Sequence, residues 1–209
     1  MNKFSMKENG FEYVDLGLPS STMWATCNVG ADKPEDEGLL FQFGRVDGYR
    51  YGDINNKFRT NKQNKQDTGN IFIPKTASGK IYKTNNILDL KDDAAHVNMG
   101  GAWRMPTKYQ IEELITNTTY EIKTINNASG MMFISNMNGH YLFIPFTHGL
   151  WYHGTWYNLN QFFAYVWSSH AHNFNINSAH MLYCDLDGVA NISDDTRSYA
   201  ISVRGVFKK

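Results

Sequence analysis

The apolar residues of this 209-residue chain fall into short runs, and several of these runs end at Gly or Pro. Phe11 to Leu18 alternates imperfectly and stops at Pro19, while Leu39 to Phe43 is apolar except at Gln42 and is predicted as a buried strand. Runs of this length, bounded by turn residues, are typical of short strands. The hydrophobic content of 42% is sufficient for a packed core, so global disorder is excluded.

One segment has the spacing of a helix. Thr107 and Gln110 stand three residues apart, which is the spacing of a capping box at a helix N-terminus. The apolar residues that follow lie on one helical face, and they are Ile111, Leu114 and Ile115. The pattern predicts a helix over about Lys108 to Thr116, and a short helical turn is predicted within Asp89 to Asn98.

The remaining elements are predicted as strands. Asn138-Gly139 lies between two apolar runs, which is a strong hairpin signal and predicts a hairpin over Met131 to Ile144. Further strands are predicted at Met23 to Val29, Ala164 to Trp167, Met181 to Cys184 and Ala200 to Val206. A polar stretch at about 49–86 is predicted as a surface excursion with short strands at Asn70 to Ile73 and Lys80 to Tyr82. Residues 1–209 are thus predicted to form a single α+β domain with mainly antiparallel short strands, one or two helices and long loops.

Charge and hydropathy exclude several classes of partner. The 20 basic and 20 acidic residues balance, so no general attraction to nucleic acid or to an anionic membrane is expected. No apolar run approaches the length of a membrane span, and no secretory signal is visible at the N-terminus. Cys27 and Cys184 have apolar neighbours and are predicted as buried thiols, although a disulfide between them stays open.

The region at about 151–199 keeps an apolar frame but fills its gaps with Asn, His, Ser, Tyr and Asp. These residue types adapt readily in hydrogen bonding and resemble the composition of antibody paratopes. The region is therefore predicted as a recognition surface, with a solvated Asn-rich loop region as the alternative. The predicted ligand-binding residues are Tyr152, His153, Trp156, Tyr157, Asn158, His170, His172, Asn173, Asn175, Asn177, Asp194 and Arg197.

Several motifs spread over the chain resemble one family. They are Glu12 to Ser20, Trp24 to Ala31, Phe41 to Gly44, Asp92 to Ala95, Gly100 to Thr107, Trp167 to Ser169 and Ser202 to Arg204. Together they resemble a paralogous domain that is abundant in gut Bacteroidetes, including Bacteroides, and in their phages. That family is similar to the C-type-lectin-like fold in its formylglycine-generating-enzyme-like branch, which includes the variable proteins of diversity-generating retroelements.

The resemblance implies a C-type lectin fold and a non-enzymatic function in receptor or ligand binding. Adenine-directed mutagenesis in such proteins yields Asn, Tyr, His, Asp, Ser and Thr, the residue types that fill the 151–199 region. The implied partner is a protein or glycan receptor on a cell surface, and the implied role is host attachment or adhesion. A phage virion (tail) protein or a bacterial surface adhesin would fit, as a homo-oligomer or attached to a larger particle. The absence of a visible signal favours the virion. The family has Pro where this chain has Gly205, a departure expected to loosen the chain end.

An enzyme and a carbohydrate-binding module are the alternatives that the same fold offers. The enzyme branch uses two cysteines in the C-terminal part, where this chain has only Cys184, so no catalytic residue is predicted. The tripeptides of a calcium-dependent sugar site are absent. No cofactor or metal site is predicted, although two sets of candidate metal ligands are kept as alternatives. Structural calcium would use Asp185, Asp187, Asp194 and Asp195, and a transition metal would use His170, His172 and His180.

Two arginines lie in motifs of the resemblance and are predicted to have structural roles. Arg104 and Arg204 are both expected to be buried, and a buried Arg needs carboxylate or carbonyl partners. The candidate carboxylates are Asp15, Asp92 and Asp93.

Overall fold

The computed structural model describes residues 6–51, 76–152 and 155–209, with side chains undescribed at 150–157. The strands are β1 (Met6–Glu8), β2 (Phe11–Asp15), β3 (Thr22–Asn28), β4 (Leu40–Gln42), β5 (Thr118–Ile125), β6 (Ala128–Ser135), β7 (Tyr141–Pro145), β8 (Gly149–Tyr152), β9 (Thr155–Asn158), β10 (Phe163–Ala171), β11 (Ser178–Asp185), β12 (Ala190–Thr196), β13 (Ala200–Ser202) and β14 (Arg204–Lys208). The helices are α1 (Ala94–Met99) and α2 (Lys108–Thr116), preceded by a 3-10 turn at Leu90–Asp92. The predicted strand at Asn70 to Ile73 lies outside the described residues.

The strands form three sheets, and nearly all their pairings are antiparallel. A four-stranded sheet has the order β1-β2-β3-β14, and a three-stranded sheet has the order β5-β6-β7. The largest sheet has the order β12-β11-β10-β13-β8-β9, with β4 paired to β13 as its seventh strand. The β10–β13 pair is parallel. With two α-helices in the described ranges, the α+β prediction is confirmed. No helix in those ranges is long and apolar enough to cross a membrane.

The strongest local signals predicted their elements correctly. Helix α2 begins and ends where predicted, and its capping box is complete. The Thr107 hydroxyl accepts from the Gln110 backbone N–H, while the Gln110 side chain accepts from the Thr107 N–H. The predicted hairpin over Met131 to Ile144 is present as β6 and β7, in which Ile134 pairs with Tyr141.

Other strand predictions were wrong or incomplete. Residues 80–82 form no strand, because Tyr82 lies in the core and its hydroxyl donates to Asp92 at 2.7 Å. The run from Ala200 to Val206 is not one strand but two, since β13 joins the seven-stranded sheet and β14 joins the four-stranded sheet. Strands β1, β5, β8, β9 and β12 were not predicted at all. The last three lie within the 151–199 region or at its edge.

The two faces of the seven-stranded sheet pack against different cores. Trp167 and Met181 lie in one core together with Phe43 and Trp103. On the opposite face, Val166 and Leu182 lie in the second core with Ile111 and Leu114 of α2. Because successive strand residues point to opposite faces, a residue on β10, β11 or β12 can be assigned to one face from its register.

Of the two motif arginines, Arg204 is buried as predicted and Arg104 is not. Arg204 is fully buried, and its guanidinium donates to the Asn28 side-chain oxygen at 2.9 Å and to the Ala25 and Phe143 carbonyls at 3.0 Å. Its partners are therefore two of the expected carbonyls and an amide oxygen, and none of the candidate aspartates. The prediction for Arg104 was wrong, because its side chain is exposed and only its backbone pairs, with Val206.

The predicted aspartate partners have other structural roles. Asp92 accepts hydrogen bonds from the Ser78 backbone and hydroxyl, both at 2.6 Å. Asp93 caps α1 by accepting from the His96 N–H and also accepts from the Met105 N–H. Asp15 accepts from the Gly17 N–H. Each therefore fixes a local chain segment.

Gly205 does not loosen the chain end, contrary to prediction. It is buried in β14, where an added Cβ would lie 2.6 Å from Met99 Sδ and 2.9 Å from Trp103 Cε3. The absent side chain allows the strand to approach α1 and Trp103 closely.

Candidate binding surface

The connection between β10 and β11 is a 172–177 loop whose own side chains hold its backbone. His172 Nδ1 accepts from the Phe174 N–H at 3.2 Å and from the Asn175 N–H at 2.9 Å. Asn175 Oδ1 accepts from the Asn177 N–H at 3.0 Å, and Asn175 Nδ2 donates to Ser178 Oγ at 3.0 Å. These bonds give the loop a defined conformation, although much of it is exposed to water.

Two large side chains at this end of the sheet stand out into solvent. Phe174 is 89% exposed and makes an edge contact with the ring of His172, at a centroid distance of 6.2 Å. Tyr109, in the first turn of α2, is 60% exposed. Exposed aromatic rings on an ordered backbone are the usual anchors of binding surfaces, because they add contact area with little loss of side-chain entropy.

Polar groups surround these rings and bridge α2 to the loop. Lys108 Nζ donates to Asn173 Oδ1 at 2.8 Å, and His180 Nε2 lies 3.4 Å from the same oxygen. The His172 and His180 rings are 5.0 Å apart. His172 Nε2 lies 3.7 Å from a carboxylate oxygen of Asp194, which pairs with His180 across β11 and β12.

We call this set the loop surface. Its members are Lys108, Tyr109, His172, Asn173, Phe174, Asn175, His180 and Asp194. Burial, followed by the charge of Lys108, lowers the pKa of His180, so its imidazole is neutral at neutral pH. The surface then presents an ammonium group, a carboxylate, amides and aromatic rings. These groups can bind a ligand through hydrogen bonds and ring contacts.

His170 was predicted to contact a ligand, but it is buried and only 4% exposed. Its Nδ1 accepts from the Lys108 backbone N–H at 3.3 Å, and its ring meets Tyr109 edge-on. Burial, followed by the charges of Lys108 and His180, lowers the pKa of His170 to about 4. His170 therefore stabilises the first turn of α2 from the buried side, through its contacts with Lys108 and Tyr109.

Arg197 was also predicted as a contact residue, and it is 2% exposed. Its Nε donates to the Ser178 carbonyl at 3.0 Å and its Nη1 to the Tyr82 carbonyl at 2.7 Å, while the guanidinium lies over the Phe43 ring. Burial lowers its pKa to about 10. Arg197 anchors the end of the 172–177 loop instead of facing solvent.

The remaining predicted residues do not all lie together. His172, Asn173, Asn175, Asn177 and Asp194 meet at the end of β10 where Ala171 lies. Asn158 is exposed and belongs to the β8–β9 hairpin. This hairpin lies near Phe163, at the opposite end of β10, where the Thr147 N–H donates to the Phe163 carbonyl. Nine residues of β10 separate these ends by roughly 25 Å. His153, with the side chains of Tyr152, Trp156 and Tyr157, lies outside the described residues.

No group of three or more His, Cys, Asp or Glu in the described ranges could hold a metal ion. Asp185, one of the calcium candidates, accepts from the N–H groups of Asp187 and Val189 in its own turn. Cys27 and Cys184 are both free thiols. Cys184 is buried as predicted, but Cys27 is only half-buried and lines a surface cleft of about 290 Å³. Burial raises the pKa of both thiols, which disfavours their thiolate forms.

The predicted ligand-binding set missed Lys108, Tyr109, Phe174 and His180, and His180 had been named only as a possible metal ligand. Phe174 carried a usable signal, since it is a lone aromatic residue within a run of Asn and His. Lys108 and Tyr109 had no such signal, because only the tertiary fold brings the start of α2 beside the loop.

Comparisons of the chain with models of protein families, with curated proteins and with solved structures find no match. The resemblance to the C-type-lectin-like family therefore stays a prediction.

Proposed function

We propose that this chain is a non-enzymatic binding protein that recognises a receptor, a protein or a glycan, on a cell surface. The observation that carries the proposal is the presentation of Phe174, an 89% exposed aromatic ring on a loop fixed by hydrogen bonds. Covering an exposed apolar ring with a partner removes it from water, which favours binding. Lys108, Asn173 and Asp194, which belong to the same loop surface, supply polar groups that can give such a contact its specificity.

The proposed architecture is a C-type-lectin-like fold of the kind used by variable proteins of diversity-generating retroelements. The mainly antiparallel α+β fold supports this, as does the Asn, His and Asp content of the loop surface. Host attachment through a phage tail, or adhesion from a bacterial surface, is the proposed biological role.

Binding to cells tests the proposal. Fluorescently labelled protein is titrated onto intact gut Bacteroidetes cells, and the bound fraction is measured by flow cytometry for the wild type and for Phe174→Ala and Tyr109→Ala. Truncation of an aromatic anchor is expected to cost about 2 kcal/mol, which weakens binding roughly thirtyfold.

The matched control is Met137→Ala. Met137 is also an exposed apolar residue, at 71%, but it lies in the turn between β6 and β7. This variant should bind like the wild type. Absence of cell binding by the wild type, or equal binding by all variants, would refute the proposed function.

A further inference from the structure

A second surface lies on the opposite face of the seven-stranded sheet from His180 and Asp194. Tyr165 on β10 pairs directly with Tyr183 on β11, and Phe163 pairs with Asp185. The three rings form a cluster, with centroid distances of 6.0 Å from Phe163 to each tyrosine and 5.7 Å between the tyrosines. All three side chains are half-buried, so the ring cluster is open to solvent on one side.

Two carboxylates border this ring cluster. The Tyr183 hydroxyl donates to Asp185 Oδ2 at 2.9 Å. Asp195 pairs with Ala179 on β11, which places it on the same face of the sheet as Tyr183 and opposite to Asp194. We call Phe163, Tyr165, Tyr183, Asp185 and Asp195 the aromatic face.

Burial and the neighbouring acidic groups both disfavour additional negative charge on this face. Burial, together with Tyr183 and Asp195, raises the pKa of Tyr165 to about 12. Burial and the hydrogen bond to Asp185 raise the pKa of Tyr183 to about 12. Burial also raises the pKa of Asp195, and the nearby charge of Asp194 adds to the effect. A positive charge bound here would stabilise the Asp195 carboxylate.

Clustered aromatic rings beside carboxylates are the chemistry that binds organic cations, because ring faces and carboxylates both attract positive charge. The aromatic face spans three strands of an open sheet and does not form a closed cage. The exposed apolar residues Leu186 and Val189 extend it beyond β11. Such a shape suits an extended chain better than a small cation.

We propose that the aromatic face binds a basic segment of a protein partner, with a lysine or arginine side chain over the tyrosine rings and with Asp185 and Asp195 as the countercharge. This interaction is independent of the loop surface, which lies on the other side of the sheet.

The test uses fluorescence anisotropy with labelled peptides of alternating lysine and glycine, and a matched peptide of alternating glutamate and glycine. The lysine peptide should bind, more weakly as ionic strength rises, and the glutamate peptide should not. Tyr183→Leu should weaken binding of the lysine peptide about tenfold through the lost ring, while Tyr183→Phe keeps the ring and most of the affinity. Asp195→Lys should abolish binding.

The control on the loop surface is Phe174→Ala, which should bind the lysine peptide like the wild type, so the two proposals can fail separately. Thermal unfolding of each variant verifies that the fold is retained. Equal binding of the two peptides, no binding of the lysine peptide, or wild-type affinity in a folded Tyr183→Leu variant would each overturn the proposal.

Discussion

Arg204 is a fully buried cation whose three described acceptors are all neutral oxygens. Burial lowers its pKa to about 10, because the protein interior solvates the charge less well than water does. Removing the side chain is nevertheless costly, because the Asn28 oxygen and the Ala25 and Phe143 carbonyls lose a hydrogen-bond donor in the core.

Arg204→Ala is therefore expected to lower the free energy of unfolding by about 3 kcal/mol or more, as measured by urea denaturation. Arg45→Ala is the control, since Arg45 forms a partly exposed ion pair with Asp47 and should cost less than about 1 kcal/mol. Similar losses in the two variants would contradict the structural role of Arg204.

His170 gives the stability of the fold a specific pH dependence. Its pKa falls from 6.5 to about 4 on folding. Between these two pH values, His170 binds a proton in the unfolded chain but not in the folded chain. The contribution of neutral His170 to the free energy of unfolding is therefore fully present above pH 6.5, and it is lost as the pH falls towards 4. The loss should be on the order of 2 kcal/mol.

His170→Asn is the diagnostic variant, because its side-chain oxygen can accept the same Lys108 N–H but does not titrate. Urea unfolding at a series of pH values should show a smaller loss between pH 6.5 and 4 in the variant than in the wild type. Parallel curves for the two proteins would show that His170 does not titrate as described. Comparing the two also removes the contributions of other titrating groups, such as His180.

At the scale of elements, the turn between β5 and β6 consists of Asn126 and Asn127, both with positive φ, at 47° and 69°. A two-residue hairpin turn of this type favours Asn followed by Gly, because glycine has no steric cost at positive φ. Asn127→Gly is expected to raise the free energy of unfolding by about 0.5 kcal/mol, and Asn127→Ala to lower it by about 1 kcal/mol. Thermal and urea unfolding measure both. A stabilising effect of alanine would show that the turn has another conformation.

Elements with strong local signals could be predicted from the sequence, and elements that depend on distant partners could not. The capping box of α2 and the Asn138-Gly139 turn act through neighbouring residues. Strand β12 was missed because Asp194 and Asp195 are unfavourable in strands. The segment adopts a strand conformation only through its pairing with β11. Strand β5 did carry a readable alternation of Thr118, Tyr120 and Ile122.

The candidate site shows the same division. Residue types indicated that the 172–177 loop was polar and adaptable, and His172, Asn173 and Asn175 were predicted there. Nothing local to His170 or Arg197 distinguishes a support from a contact residue, because both types occur on surfaces and in hydrogen-bonded interiors. Their burial depends on α2 and on Tyr82, which are distant in sequence.

At the scale of the whole molecule, support and contact residues should separate in their effects on stability. Simultaneous Tyr109→Ser, Phe174→Ser and Asp194→Asn changes should move the melting temperature by less than about 3 °C, because all three side chains are exposed. Arg197→Ala should lower it by several degrees, since the Ser178 and Tyr82 carbonyls lose their donor. Differential scanning calorimetry compares the variants. Unfolding of the triple variant would mean that the loop surface is part of the scaffold.

The conformation of the 172–177 loop depends on the side chains of His172 and Asn175, which accept hydrogen bonds from its own backbone. A substitution at Phe174 changes the chemical group that is displayed, but it leaves these bonds in place. A substitution at His172 or Asn175 removes them, and the backbone path must change. Mutation within six consecutive positions can therefore explore two properties separately, the displayed chemistry and the local shape, while the sheet beneath remains the same.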